Sequence, residues 1–527
     1  MVSNRLWNVR DYGAIGDGAT KDTQALQKAI DSCAEAGGGA VTVPAGTYVS
    51  GTLYLRSHIE LRLEAGATLL ASPDRDDYNA DDVFAENQVF TSENVTGAHL
   101  IIAYRQHNVS ITGSGVIHGN GAHFFDPMPE GKIASYRFKT GNFTLRAWRP
   151  GQMIFICRCT HVSVRDVSLI DSTYWNLFLL GCNDVQVRGL TIDNPAATQN
   201  GDGIDIDCSR NVTVSDCIIR SGDDCITLRA NRKPLGEDAR CEHVTVTNCV
   251  LSSPTCAFRI GVGDGEIRHC SVSNIVIAEA RTAVNMVMRY SESSRHGSRI
   301  EQVHFSDIVA DVAMPFVVCT GTGAIPPAYI RDVSFSRFRV TASAGSQLAG
   351  TAEVPLVNIR ISELDLLIRG GTDNLDLADK QPPELSKFGY HGNAGLPALP
   401  CAIYGAYLQN AAFDRVRVRW ESLGAVWKDG MLLKHSDDVE LRDVSLRQPR
   451  TDEGAAIRLH NCGDVTLRDS RAPKGTNTFI QVEQARESVL LRCIANDWTD
   501  AERPIDADAT VTVWGHGCLT RAGNGIK

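Results

Sequence analysis

Along most of the chain, apolar and polar residues alternate in short runs that end at a polar bend, and the runs are alike. HVSVRDVSLIDS starts at His161, DVQVRGLTIDNP at Asp184, NVTVSDCIIRSG at Asn211, HVTVTNCVLSSP at His243 and HCSVSNIVIAEA at His269. Later copies start at Asp332, Asp438 and Asp464. Each holds two alternating runs with β-branched residues at every second position, which predicts two short strands with those residues facing inward. The first five copies begin 23, 27, 32 and 26 residues apart. That is the length of one solenoid coil, and the longer intervals place insertions in turns. One coil cannot bury its own apolar face, so coils must stack about 4.8 Å apart. The pattern predicts an all-β chain, a right-handed parallel β-helix. A β-sandwich is the competing fold, but its strands recur every ~8–12 residues, whereas here the polar-Val pair recurs once per coil.

A solenoid end exposes strand edges and needs a cap. TKDTQALQKAIDSCAEAGGG supplies a helix: Asp22 or Thr23 at its start, Ala25, Leu26, Ile30 and Cys33 on one face, and Gly37 to Gly39 as the stop. The chain is read as a single domain over residues 1–527, with the cap over about 1–70, central coils over about 150–290 and further coils over about 300–527. Residues 119–150 and 370–400 interrupt the repeat and are rich in Gly, Pro and aromatics. Such long loops are expected to wall or cover a cleft, although 370–400 reads equally well as decoration.

Composition narrows the choice of partner. A net charge of -10 and a pI near 5.8 give no basic footprint for nucleic acid, so an anionic substrate would need local cations. No run approaches the ~18 apolar residues of a membrane span. The opening MVSNRLWNVRDYGA lacks the apolar core and cleavage site of a secretory signal. A cytoplasmic location is expected, or a secreted or periplasmic one if a leader has been removed. Sixteen cysteines are scattered without the paired spacing of a zinc site. Cys157, Cys182 and Cys208 lie about one coil apart, as small residues stacked in a core would. No cofactor and no metal is expected, and the oligomeric state is open.

The candidate chemistry lies in two acidic clusters on successive coils, NGDGIDIDC (Asn200–Cys208) and SGDDCITLR (Ser221–Arg229). Matching Ile204 and Ile206 with Ile226 and Leu228 sets Asp202 opposite Asp224, with Asp223 beside it. Like charges that close resist joint ionisation, so at least one carboxyl should stay protonated at raised pH. Such a group can protonate a glycosidic oxygen while its neighbours polarise water. Asp205 and Asp207 are read as structural supports. Clustered carboxylates also suit a hard cation, which would fit a calcium-dependent lyase or epimerase. A non-catalytic glycan-binding solenoid is the third possibility. A lyase needs a Lys or Arg base, and no lysine is evident near the acidic clusters.

At these residues the chain resembles glycoside hydrolase family 28, the polygalacturonase and rhamnogalacturonase group. The family's N-T-D-G motif reads Asn200-Gly201-Asp202-Gly203, and its G-D-D-C motif reads Gly222-Asp223-Asp224-Cys225. NVRDYGAIGDGATKDTQALQKAI and VTVPAGTYVSG resemble the family's N-terminal cap, and the similarity covers most of residues 6–290. The resemblance implies hydrolysis of a pectic galacturonate or rhamnogalacturonan carbohydrate with inversion. Asp223 would be the general acid, and Asp202 and Asp224 would activate water; the residues alone do not say which Asp holds the proton.

Two departures qualify the likeness. The family's G-H-G motif falls on Thr255-Cys256-Ala257, so its histidine is missing, and no R-I-K motif is recognisable in AVNMVMRYSES. Arg259 and Arg289 are the candidate replacements for gripping a uronate carboxylate, with Asn200 and Asn176 as further substrate-binding candidates. Cys256 is read as a packed residue. These losses point away from plain homogalacturonan and toward another pectic linkage, and a missing leader would favour exo action on short fragments.

Overall fold

The computed structural model describes residues 6–520 except 81–83, 88–92, 138, 237–238, 290–296, 322–324, 370–400, 422–426, 451–453, 484–489 and 508–510. The expected wall at 370–400 therefore lies outside the described residues. Contacts gather the chain into two compact units. The first comprises Met1–Arg259, Gly265–Ser271 and Glu279–Arg281; the second comprises Ile260–Asp264, Val272–Ala278 and Thr282–Lys527. The coils are those of a right-handed parallel β-helix.

In the first unit each central coil carries three strands, not the two that alternation predicts. They are β1 (Ile154–Cys157), β2 (Thr160–Arg165) and β3 (Ser168–Ile170), then β4 (Leu177–Leu180), β5 (Asn183–Arg188) and β6 (Thr191–Asp193). Next come β7 (Ile204–Asp207), β8 (Arg210–Ser215) and β9 (Ile218–Arg220), followed by β10 (Ile226–Ala230) and the long β11 (Arg240–Gly263), which pairs with both β8 and β9, and then by β12 (Glu266–Val287). The strand β7, expected from Ile204 and Ile206, is buried at every position, as are the unforeseen strands β1 and β4. With apolar residues on both faces, β1 and β4 show no alternation to detect.

Register is strict through these coils. Val162, Val185, Val212 and Val244 pair in turn, as do Val164, Val187, Val214 and Val246. The residue before the first inward Val sits at a corner with left-handed backbone: φ is 55° at His161, 56° at Asp184, 56° at Asn211 and 57° at His243. Short polar side chains tolerate that conformation best, which is the physical origin of the recurring Asp/Asn/His-Val pair. Asn211 Nδ2 also donates to Asp184 Oδ1 at 2.9 Å, so one corner braces the next.

The capping helix, α1, spans Thr23–Glu35 and buries Leu26, Ala29, Ile30 and Cys33. Ala29 completes the face in place of Ala25, which is half-buried. Asp22 stands at the helix start but makes no side-chain cap there. Its carboxylate instead accepts from the Ile15 and Gly16 amides at 2.7 and 3.0 Å. Thr23 Oγ1 accepts from the Gly51 amide at 2.9 Å. All sixteen cysteines are buried and unbonded to one another.

In the second unit the same logic continues through β13 (Arg299–Cys319), β14 (Tyr329–Ala342) and β15 (Leu356–Arg369). Phe305, Phe335 and Ile361 stack in register inside. Outside, Arg337 forks onto Asp307 at 2.6 and 2.7 Å. Such exposed pairs contribute little individually, so the apolar stack carries the stability.

The glycine after Asp202 is dictated by packing. A Cβ on Gly203 would stand 2.4 Å from the Cys225 carbonyl oxygen and 2.8 Å from Ile219 Cγ2. Gly203→Ala is therefore expected to lower stability by about 1–3 kcal/mol, measured by urea denaturation.

Candidate active site

Stacking of β7 on β10 builds the site. Ile204 pairs with Ile226 and Ile206 with Leu228, the expected register, which sets Asp202 against Asp224. The Gly203 amide donates to the Asp224 carbonyl and the Cys225 amide to the Cys256 carbonyl, both at 2.9 Å. A third coil is thereby brought alongside. Carboxylate oxygens of Asp202, Asp223 and Asp224 all lie within 4.8 Å of one another. Asp202 and Asp224 are each 6% exposed, whereas Asp223 is only half-buried. The acid nearest solvent is thus Asp223.

Their surroundings push them apart. Burial, then Asp205, Asp223 and Asp224, hold the Asp202 carboxyl far above its ordinary range. Burial and neighbouring Asp224 raise Asp223. Asp224 is lowered, because Arg259 and Thr255 outweigh the effect of its burial. Arg259 Nε donates to Asp224 Oδ2 at 2.9 Å and its Nη2 to Oδ1 at 3.4 Å. Thr255 Oγ1 lies 2.9 Å from Asp223 Oδ1 and 2.8 Å from Asp224 Oδ1. Two carboxyls that favour protons therefore surround one that favours charge. The cluster is compact enough to share a cation, but Asp224 has both oxygens engaged by protein donors, and calcium asks for six to eight oxygen ligands.

A lysine is present after all. Lys139, from the 119–150 insertion, donates through Nζ to the Gly222 carbonyl at 2.7 Å and the Thr198 carbonyl at 3.2 Å. Burial lowers its pKa, and the charges of Asp223 and Asp202 partly restore it. The insertion folds onto the coils that carry the acids: Tyr136 donates to the Asn194 carbonyl at 3.0 Å. Its role as a wall was legible in its length, but nothing in its pattern singled out Lys139 from Lys132. Arg281, on β12, also approaches the site; it bears on both Lys139 and Cys256. Its Nε and Nη2 are buried without a hydrogen-bond partner among the described residues.

The other sequence candidates fare differently. Arg259 does not face a substrate carboxylate: it is 4% exposed and clamps Asp224. Asn176 does not face a sugar either. It is fully buried, and its Nδ2 donates to the Asp202 carbonyl at 2.9 Å. Asn200 is half-buried with left-handed backbone, and its Oδ1 accepts from Arg149 Nη2 at 3.3 Å. It shapes the turn that presents Asp202. Arg289 belongs to the second unit. Cys256 is fully buried with its thiol raised by that burial, as expected of a packed residue.

Asp205 and Asp207 support the site from beneath. Arg229 reaches both, Nη1 to Asp205 Oδ1 at 3.3 Å and Nε to Asp207 Oδ2 at 3.5 Å, and stacks 4.4 Å from the Trp175 ring centroid. Burial still pushes Asp205 up to about 8. Sequence reading missed Arg229 because it continues the G-D-D-C strand as an ordinary outward position.

A stacked solenoid carrying three convergent acids on adjacent coils defines a class of carbohydrate-cleaving β-helix. The family model for glycosyl hydrolases family 28 matches residues 33–321, and this chain belongs to that family. It is 30% identical over 227 residues to a probable polygalacturonase of Vitis vinifera, covering 42% of this chain and 43% of the relative. It is 29% identical over 271 residues to the exo-poly-alpha-D-galacturonosidase of Dickeya chrysanthemi, covering 45% and 43%. In each case the match spans under half of the relative's length. Among solved structures, the family 28 exopolygalacturonase of Yersinia enterocolitica superposes with a TM-score of 0.59 at 20% identity, covering 85% of this chain and 78% of that one. The exopolygalacturonase of Thermotoga maritima gives 0.56 at 23% identity, covering 70% and 88%. These two likenesses concern the fold.

Removing Arg229 strands two buried carboxyls. Their unfolded reference lies near 3.8, so the penalty grows as pH rises above that value and both must carry charge. Arg229→Met is expected to lose about 3–5 kcal/mol at alkaline pH and distinctly less in acid, read from urea curves at the two conditions.

Proposed function

We propose that this enzyme hydrolyses a glycosidic bond of a uronate-bearing pectic oligosaccharide, with Asp223 as general acid and Asp224 as the base that, with Asp202, activates water. One observation carries the reading: adjacent carboxyls at one spot have opposite proton preferences, Asp223 raised and Asp224 lowered. Environments that split neighbouring pKa values in this way assign acid and base roles. Asp202 completes the water site, its Oδ1 buried without a hydrogen-bond partner among the described residues.

The anionic sugar is supported by Lys139 and Arg281, two cations beside the acids that lack a carboxylate partner among the described residues. In a chain of net charge -10 such local cations are the means of holding a uronate. The relatives named above as galacturonosidase and exopolygalacturonases point to the same chemistry.

Inversion is the stereochemistry the site favours. A separation under 4.8 Å is shorter than the ~6.5–9.5 Å common among inverting enzymes and nearer to that of retaining ones. Yet both oxygens of Asp224 are engaged by Arg259 and Thr255, which blunts a nucleophile but leaves a proton acceptor. A second reading rests on Lys139: its lowered pKa would suit a base for β-elimination, the lyase reaction.

Incubating the protein with galacturonate and rhamnogalacturonan oligomers and following the first-formed anomer by NMR separates these readings. Inverted product is expected; retained product points to a covalent route, and unsaturated ends to elimination. Asp223→Asn should lower kcat by about 10²–10⁴-fold, and undiminished turnover would remove Asp223 from the acid role. Activity should fall as pH rises through the raised Asp223 value, where the acid is lost. It should also fall as pH drops through the depressed Asp224 value, where the base is lost.

A further inference from the structure

We infer that Arg259, together with Thr255, is a positioning pair that fixes Asp224 as the base and leaves the catalytic proton on Asp223, a duty this chain discharges without a histidine. The assignment rests on the hydrolase reading above. The donors come from one segment of β11. Thr255 Oγ1 is 2.8 Å from Asp224 Oδ1 and Arg259 Nε is 2.9 Å from Oδ2. The Cys256 thiol is also within hydrogen-bonding reach of Asp224. Arg259 is 4% exposed, so it acts through Asp224 and not on a sugar.

Thr255 gives the arrangement its direction. Its hydroxyl lies between Asp223 Oδ1 and Asp224 Oδ1, but a hydroxyl has one proton to donate. With Asp224 held anionic by the guanidinium, that proton points to Asp224, and the Thr255 oxygen is left to accept from a protonated Asp223. The chain Asp223 O–H to Thr255 O–H to Asp224 carboxylate, closed by Arg259, places proton and charge unambiguously.

The other groups facing this chain do not do the same work. Asp202, Asp205 and Asp223 oppose charge on Asp224 by like-charge repulsion, and Glu93 bears on Asp223. Among the cations, Lys139 faces Asp223 and Asp202, Arg229 faces Asp202 and Asp205, and Arg281 faces Cys256. An imidazole in the same duty would lose its charge near pH ~6.5, whereas a guanidinium keeps it throughout the working range. Arg259 therefore adds no ionisation of its own to the alkaline limb of activity.

The test compares kcat, KM and pH profiles of the full chain on an oligogalacturonide. Arg259→Met is expected to lower kcat by about 100-fold or more, to leave KM within about threefold, and to move the acidic limb of kcat/KM upward by about one unit or more. Arg259→Lys, which keeps the charge but loses the fork, should bring the limb part of the way back. If the arginine variants do not fold, Thr255→Val still decides the matter, since it keeps the shape and removes the hydroxyl. It should shift the acidic limb upward by a smaller amount, and Thr255→Ser should restore it. An unmoved limb despite lost kcat, or a raised KM with kcat intact, would overturn the assignment. If the unaltered protein turns over no pectic oligomer, the hydrolase reading fails first; if it does and the limb stays put, only the role of this pair falls.

Discussion

In-register stacking of successive coils is the constraint on which the site depends. The valines that pair from Val162 to Val244 fix each coil's rotation against the next, because slipping by one residue would turn every inward side chain outward. Through the same register Ile204 meets Ile226, and acids 22 positions apart in the chain, Asp202 and Asp224, become neighbours. Gly203 allows the close approach, since any side chain there would collide with the Cys225 carbonyl. The geometry of the acidic cluster is thus a by-product of core packing.

Crowding then creates the electrostatic problem that the enzyme exploits. Asp202, Asp205, Asp207, Asp223 and Asp224 crowd together on two coils, and most are buried. The structure answers with cations placed singly. Arg229 neutralises the supporting acids Asp205 and Asp207, Arg259 takes Asp224, and Lys139 enters from the side. Each cation sets a different proton preference on the carboxyls it faces, and these differences turn a repulsive cluster into an ordered acid–base set.

The solenoid, the capping helix and the acidic register were legible in the sequence because each leaves a periodic trace. Alternating valines, the corner Asp or Asn and the matched Ile204 and Ile226 all repeat with the coil. What escaped was not periodic. Strands β1 and β4 are apolar on both faces and carry no alternation. Lys139 sits in an insertion whose path is set by tertiary contacts with Thr198 and Gly222. Arg259 was noticed for its charge, but its partner could be known only once the coil carrying Thr255 and Cys256 lay against Asp224. Asn176 looked like a polar residue facing a sugar and is instead a buried backbone brace.

The insertion that delivers Lys139 has a bearing on how this enzyme could diversify. The clustered aspartates and their supports are locked into the coils, where any exchange disturbs the stack on either side. Lys139 reaches the same spot on a segment outside the repeat, anchored by side-chain donors to backbone carbonyls. Evolution can lengthen, shorten or recharge that segment while the stacked coils stay untouched, so the charge presented beside the acids can drift independently of the packing that holds them.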